Sequence, residues 1–272
     1  MLACFLLACV LGLAIIPLAR DMMKRSGHLR PNYAGRLVPA SMGIPLVISA
    51  TLASSAVMRF GGASGAALSA PCLLVVNAAM FAGAVDDLFG SGDSRGIAGH
   101  AAALFKKGIL TTGILKAVVV LTFAALAVRM AAPALSVPVL AMNSAVVALA
   151  ANFSNLLDLR PGRAAKAYMA GVAALVLTTG LPAPALVPVG LAGATLAGIR
   201  DDLAERSMLG DAGSNPLGAA LGYWLVLATP LAVRVVALLV LGLVHVYAEH
   251  HSITAAIERN PLLRFLDALG RR

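Results

Sequence analysis

Two adjacent carboxylates, Asp86 and Asp87, follow an apolar stretch of the sequence. Neighbouring carboxylates repel each other unless a cation or hydrogen-bond donors lie close by. Such a pair can bind Mg²⁺, directly or through water, or act as a base beside a phosphate. A solvated helix end is the alternative, because a second pair, Asp201 and Asp202, makes the dipeptide alone weakly specific.

Three polar residues recur at a spacing of three after another apolar stretch: Asn152, Asn155 and Asp158. If the helix continues that far, this spacing places them on one face. Amide and carboxylate oxygens together suit a hard cation or a nucleotide. The alternative is an ordinary helix end, where asparagine is common.

A single acid, Asp211, lies between Gly210 and Gly213, and a helix is predicted to begin near Ser214. Glycines leave the backbone around the carboxylate unobstructed, and a helix N-terminus attracts anions. This arrangement favours a metal–phosphate complex. The alternative is an acid stabilised by the helix dipole alone.

Five cationic or titratable side chains are further candidates for binding phosphate: Arg36, Lys107, Lys116, His250 and His251. Lys116 lies near the start of an apolar stretch, where an unpaired cation is costly. We expect its side chain to extend to the membrane surface, as long lysines do. The two histidines come directly after the last apolar stretch and are candidate hydrogen-bond donors.

The elements that must position these residues are membrane helices. The 272-residue chain is 60% hydrophobic and only 12% charged, with a mean hydropathy of +0.90. About 20 apolar residues are needed for one helix to cross a bilayer. We predict a single all-α polytopic domain over residues 1–272, with about nine spans: 1–19, 38–58, 66–85, 109–128, 132–151, 164–180, 182–199, 214–230 and 231–248.

The charge of this chain is strongly one-sided. The predicted loops on one side are 20–37, 86–108, 152–163, 200–213 and 249–272, and with two lysines in adjoining helices this side holds 18 of the 21 Lys and Arg residues. The positive-inside rule makes it cytoplasmic, with the N-terminus outside and 1–19 retained as a span. Topology and anionic lipid explain most of the net charge of +9, so no nucleic-acid partner is expected.

All twelve acids lie on the same side, although the positive-inside rule does not require it. They are Asp21, Asp86, Asp87, Asp93, Asp158, Asp201, Asp202, Glu205, Asp211, Glu249, Glu258 and Asp267. The last of these belongs to a C-terminal segment, 249–272, in which apolar and charged residues alternate as in an amphipathic helix at a membrane surface.

Four segments, in this order, resemble the polyprenyl-phosphate N-acetylhexosamine-1-phosphate transferase superfamily, which includes the phospho-MurNAc-pentapeptide and GlcNAc-1-phosphate transferases. They are Pro39-Ala40-Ser41-Met42-Gly43, Asp86-Asp87, Asn152-x-x-Asn155-x-x-Asp158 and Gly210-Asp211-Ala212-Gly213-Ser214. The resemblance implies transfer of a sugar-1-phosphate from a UDP-N-acetylhexosamine to undecaprenyl phosphate, with release of UMP, at the cytoplasmic face of the plasma membrane, for cell-envelope glycan synthesis.

The resemblance also implies roles for individual residues. Asp211, with Asn155, would bind Mg²⁺; Asp86 and Asp87 would be the essential acidic pair beside it; Asn152 and Asp158 would line the nucleotide-sugar site. The expected partners are undecaprenyl phosphate, a UDP-sugar and membrane lipid, and a homodimer is left open. Arg36 and the loop lysines would supply positive charge, and Asp201-Asp202 has no counterpart.

The sequence also departs from the family pattern. Bacterial members typically have ten or more spans, Asp158-Leu-Arg-Pro-Gly-Arg163 replaces the usual Asp-Gly-x-Asp-Gly run, and His250-His251 stand where a fuller histidine motif is found. GlcNAc is therefore favoured over MurNAc-pentapeptide. The alternatives are a catalytically silent homologue that binds lipid phosphate or a protein, and a transporter or lipid translocase, which would need more ionisable residues deep in its spans.

Overall fold

The computed structural model describes residues 1–60, 66–90 and 96–271. About 80% of the structure is helical. The helices are α1 (Leu2–Arg25), α2 (Gly43–Phe60), α3 (Ala66–Phe89), α4 (Gly96–Lys107), α5 (Thr112–Ala131), α6 (Val137–Leu157), α7 (Arg163–Thr179), α8 (Leu186–Leu203), α9 (Asp211–Ala228), α10 (Leu231–His250), α11 (Ile253–Arg259) and α12 (Pro261–Ala268). Two short antiparallel strands, β1 (Leu29–Pro31) and β2 (Leu37–Pro39), pair between α1 and α2.

Within the described residues, seven helical segments are long and apolar enough to cross a membrane. They are α1, α2, α3, α5, α6, α10 and Ala183–Leu203, which joins a short 3₁₀ turn to α8. The two remaining predicted spans correspond to α7, which has 17 residues, and to α9. The architecture is therefore that of an all-α polytopic membrane protein with a small hairpin.

Helix α9 forms the centre of the bundle, where it packs against α2, α3, α6, α7 and α8. Its Tyr223 and Trp224 are fully buried and donate hydrogen bonds to the Leu68 carbonyl and the Thr179 hydroxyl. Because Gly218 and Gly222 lack side chains, α9 and α6 approach closely at these two positions, as small residues allow in membrane bundles. Because α9 is covered by protein, it needs no apolar surface facing lipid.

Helix α10 lies at the opposite extreme, on the periphery. Only 6% of its apolar segment is buried inside the protein, whereas the figure for the segment that contains α8 is 67%. The described helices thus form a bundle with a protein-facing centre and an apolar exterior. One end of this bundle carries the segments 20–37, 86–90, 96–108, 152–163, 200–213 and 249–271, and we call it the charged end.

Several predicted boundaries are corrected by the structure. Helix α1 continues to Arg25, the stretch 38–58 starts as a strand before α2 begins at Gly43, and α4 forms within the predicted loop 86–108. The outer turn predicted at 61–65, Asp93 and residue 272 lie outside the described residues.

Candidate functional site

The segment Pro39–Gly43 and the turn before α9 are joined by backbone hydrogen bonds at the charged end. The Met42 and Gly43 N–H groups donate to the Met208 and Leu209 carbonyls at 3.0 and 2.9 Å, and the Met208 N–H donates to the Pro39 carbonyl at 2.9 Å. Two segments far apart in the sequence are thereby fixed side by side. Their side chains share one surface with the ends of α3, α5 and α6.

Two glycines allow this close approach. A Cβ atom on Gly43 would overlap the backbone of Gly213, and one on Gly83 would overlap the carbonyl of Asp211. Helices α2 and α3 therefore rest directly on the first turn of α9. This contact places the end of α3, with its two carboxylates, beside Asp211.

The carboxylate of Asp87 binds the beginning of α9. Its Oδ1 accepts the Asp211 N–H at 2.9 Å, and its Oδ2 accepts the Ala212 N–H at 3.1 Å and the Ser41 hydroxyl at 2.8 Å. The predicted start of this helix near Ser214 is wrong, since α9 begins at Asp211. Gly210 takes a positive φ of 72° just before it, and Asp87 satisfies N–H groups that the first turn leaves free.

Lys116 is buried between two carboxylates. Its ammonium group donates to Asp86 Oδ2 at 2.8 Å and, in a shorter contact, to Asp211 Oδ2, and the residue is only 9% exposed. The expectation that Lys116 extends to the membrane surface is therefore wrong. The energetic reason is that the two carboxylates compensate the cation where it stands.

Asn155 connects α6 to the same carboxylate. Its amide Nδ2 donates to Asp211 Oδ2 at 3.4 Å, and its Oδ1 accepts the Ser214 hydroxyl at 3.1 Å. The amide of Asn215 also donates to the Asp211 carbonyl at 2.8 Å. We call Asp86, Asp87, Lys116, Asn155 and Asp211 the acid cluster.

The other two candidate residues of this segment, Asn152 and Asp158, are positioned by the C-terminal end of α6. Helix α6 continues to Leu157 and holds Asn152 one turn before Asn155, and Asp158 follows as its C-cap residue. The carboxylate of Asp158 accepts the Gly210 N–H. Burial, and then the nearby carboxylates of Asp202, Asp211 and Asp87, raise the pKa of Asp158 well above its usual range.

The acid cluster offers carboxylate oxygens, the type of ligand that Mg²⁺ binds, but it does not form a complete protein cage. In the described residues, no three His, Cys, Asp or Glu side chains are arranged to hold a metal ion. Mg²⁺ is commonly bound by one or two carboxylates together with water and substrate phosphates. Asp211 and Asp86 supply such oxygens, whereas Asn155 turns its amide nitrogen towards Asp211 and its oxygen towards Ser214, and the Lys116 ammonium lies between the two carboxylates.

Four other candidate residues are not joined to the cluster by any hydrogen bond in the described part of the chain. Arg36 is exposed and forms an ion pair with Glu205. Lys107 is exposed at the end of α4. His250 and His251 are exposed at the end of α10, where the ring of His251 lies 4.7 Å from that of Tyr247. Their proposed roles in phosphate binding stay predictions.

The second acid pair has structural contacts. Asp201 pairs with Arg20 and Arg206 at 2.5 Å each, and Asp202 accepts the Gly162 N–H at 3.0 Å. These bonds join α1, α8 and the turn before α7.

Sequence reasoning missed Ser41 as a contact of the acidic pair. It has a positive φ of 58°, which is unusual for a residue with a side chain, and this conformation brings its hydroxyl to Asp87. Its position between Pro39 and Gly43 was the available signal.

The site as a whole brings three carboxylates and one buried ammonium group together at the charged end. No protein-family model matches this chain, and no curated protein sequence matches it significantly.

Proposed function

We propose that this protein is a membrane-embedded transferase that moves N-acetylhexosamine-1-phosphate from a UDP-sugar, UDP-GlcNAc by preference, to undecaprenyl phosphate, and releases UMP. The observation that carries this proposal is the meeting of Asp86, Lys116, Asn155 and Asp211 at one end of the bundle. These four residues come from four helices, and three of them, Asp86, Asn155 and Asp211, belong to segments that carry the resemblance in the sequence.

The reaction exchanges one phosphoanhydride bond for another. An oxygen of the lipid phosphate forms a bond to the β-phosphorus of the UDP-sugar, and the bond from that phosphorus to the bridging oxygen breaks. UMP leaves with the bridging oxygen, and the sugar stays on the new lipid diphosphate. Both reactants are anions, so the main task of the protein is to position them and to compensate their charge.

Lys116 is the cation best placed for this task. Two carboxylates hold its ammonium group in position before substrate arrives, so little reorganisation is needed when a phosphate oxygen accepts a hydrogen bond from it. Asn155 orients Asp211 through the amide contact. Mg²⁺, held by Asp211 with Asn155, would neutralise the diphosphate charge when bound.

Asp87 acts as a positioning residue in this scheme. Both of its oxygens already accept hydrogen bonds from Ser41 and the first turn of α9. Asn152 and Asp158, at the C-terminal end of α6, are assigned to the nucleotide-sugar. The Gly210 N–H contact places Asp158 against the turn before α9, beside Asp211.

We assign nine spans, with α7 and α9 added to the seven apolar segments, the N-terminus outside and the charged end in the cytoplasm. The excess of Lys and Arg at this end supports that orientation. UDP-sugars are water-soluble and the polyprenyl chain is not, so a site at the ends of membrane helices can reach both.

The test is UMP release from a panel of UDP-sugars by the purified protein with Mg²⁺ and undecaprenyl phosphate. Release with UDP-GlcNAc above the other sugars supports the proposal in full. Binding of undecaprenyl phosphate without release of UMP from any sugar would support the silent homologue instead. Transport of a solute or lipid across vesicles, with no UMP, would favour a transporter or translocase.

A further inference from the structure

The C-terminal segment is clamped to the beginning of α7 by a buried ion pair. Arg163 donates to both oxygens of Asp267, from Nε at 2.7 Å and from Nη2 at 2.9 Å, and its Nη1 donates to the Thr254 hydroxyl at 3.0 Å. Arg163 is only 5% exposed. Burial raises the pKa of Asp267, but hydrogen bonds and charge from Arg163 and Arg271 outweigh it and lower the pKa overall. Such planar, two-point pairing fixes geometry as well as charge.

Two more cations complete the clamp. Lys166 donates to the carbonyls of Leu266, Asp267 and Leu269 at 2.9, 2.6 and 3.0 Å, and so satisfies the C-terminal end of α12. Arg271 donates to the Pro161 carbonyl at 3.0 Å. The segment therefore grips the 158–163 loop both at Pro161 and where α7 begins.

The opposite side of α12 is apolar and uncovered. At 100° per residue, one face carries Leu262, Phe265, Leu266 and Leu269, and Arg264 points the other way. The exposed fractions of these four apolar residues are 65, 63, 47 and 54%. An isolated helix of eight residues with this much exposed apolar surface requires a covering surface.

The position of α12 identifies that surface as the bilayer. Helix α11 begins three residues after α10 ends, and α10 is the helix with the least protein cover among the seven apolar segments of the described chain. The polar side of α12 is fixed to the first turn of α7, so α12 lies level with the ends of the membrane helices. Arg259 at the end of α11 is exposed and adds positive charge, which anionic lipid headgroups attract.

We propose that the segment Ile253–Ala268 is a membrane-surface strap. The apolar face of α12 binds the anionic bilayer, and the Arg163–Asp267 pair holds the 158–163 loop against this segment. Because the strap is tethered to the bundle, weak binding by a single short helix is sufficient. The strap supports the loop that carries Asp158, and its existence does not depend on the transferase assignment.

The test places an environment-sensitive fluorophore at Leu266→Cys or, as the matched control on the other face, at Arg264→Cys, both in a Cys9→Ser background because Cys4 and Cys72 are buried. The full-length protein is studied in nanodiscs of phosphatidylcholine mixed with phosphatidylglycerol, with and without spin-labelled lipid. We expect several-fold stronger quenching by the lipid label at 266 than at 264. Equal quenching at both positions would overturn the proposal. Protection of position 266 from both spin-labelled lipid and the water-soluble quencher iodide would also overturn it, because it would show that protein covers this face.

The clamp is tested separately with Asp267→Asn, with Asp21→Asn as a control for loss of an exposed carboxylate. In the Asp267 variant, amide hydrogen exchange across 158–163 should become several-fold faster, and lipid quenching at 266 should fall. If neither changes while the protein remains folded, the strap does not hold the loop. These readouts involve no UMP release, so their failure is distinct from failure of the transferase proposal.

Discussion

Asp87 caps the helix that begins at Asp211. Its two carboxylate oxygens lie 2.9 Å and 3.1 Å from the backbone nitrogens of Asp211 and Ala212. A helix leaves its first four N–H groups without partners inside the helix, and here a side chain from α3 supplies the acceptor. The geometry of the acid cluster thus depends on a cap, because the same turn carries the carboxylate of Asp211.

Replacing Asp87 with Asn should destabilise the protein without removing a reacting group. The amide keeps one acceptor oxygen but turns an NH₂ group towards backbone N–H donors, at a cost of about 1–3 kcal/mol. Thermal unfolding in nanodiscs measures the loss. The control is Asp21→Asn, because Asp21 has a side chain that is 56% exposed and should change stability little. Equal melting temperatures for the two variants would contradict the capping role.

The sequence was sufficient to predict an all-α membrane protein and a place for Asp86, Asp87 and Asn155 near Asp211. Continuous apolar runs and spacing on a helix face are local signals, and α6 indeed carries Asn155 to the cluster. The partner of Lys116 could not be predicted, because it depends on how α3, α5 and α9 pack. The start of α9 was misplaced for the same reason, since its cap comes from Asp87, more than a hundred residues earlier.

Removing the buried ammonium group of Lys116 should strongly destabilise the folded protein. Lys116→Met leaves Asp86 and Asp211 close together without their cation, and breaking a buried pair in this way typically costs about 3–5 kcal/mol. The second substitution Asp86→Asn should recover part of this stability, because it removes one of the two repelling charges, which a double-mutant cycle can measure. Lys107→Met is the matched control at an exposed lysine. If Lys116→Met and Lys107→Met melt alike, the pairing is not energetically significant.

A methyl group at Gly43 should push α2 away from α9. The added Cβ would meet the backbone of Gly213, which cannot move aside as a flexible side chain can. Overpacking of this kind usually costs about 1–3 kcal/mol. Gly242→Ala in α10 is the control, because its Cβ would meet nothing within 4 Å and alanine favours the helix. Gly43→Ala should lower the melting temperature while Gly242→Ala leaves it unchanged or raises it; similar values would refute the close contact.

The raised pKa of Asp158 predicts a specific pH dependence of stability. Burial and neighbouring carboxylates disfavour its ionised form, so the folded protein binds this proton more tightly than the unfolded chain. The resulting stability is fully present below the unfolded pKa of about 3.9 and is lost as the pH rises through the folded value. Wild type should therefore lose stability relative to Asp158→Asn as the pH increases. If the melting temperatures of wild type and Asp158→Asn change in parallel as the pH increases, the effect is excluded.

The most direct measurement of the central claim is UMP release by wild type, Asp211→Asn and Asp21→Asn, each in nanodiscs with Mg²⁺, undecaprenyl phosphate and UDP-GlcNAc. Thermal unfolding of the same samples establishes that all three are folded. We predict release by wild type and Asp21→Asn, and loss of at least about 100-fold in rate for Asp211→Asn, the size expected for a group that compensates transition-state charge. Undiminished release by folded Asp211→Asn, or no release by wild type with any UDP-sugar, would contradict the account.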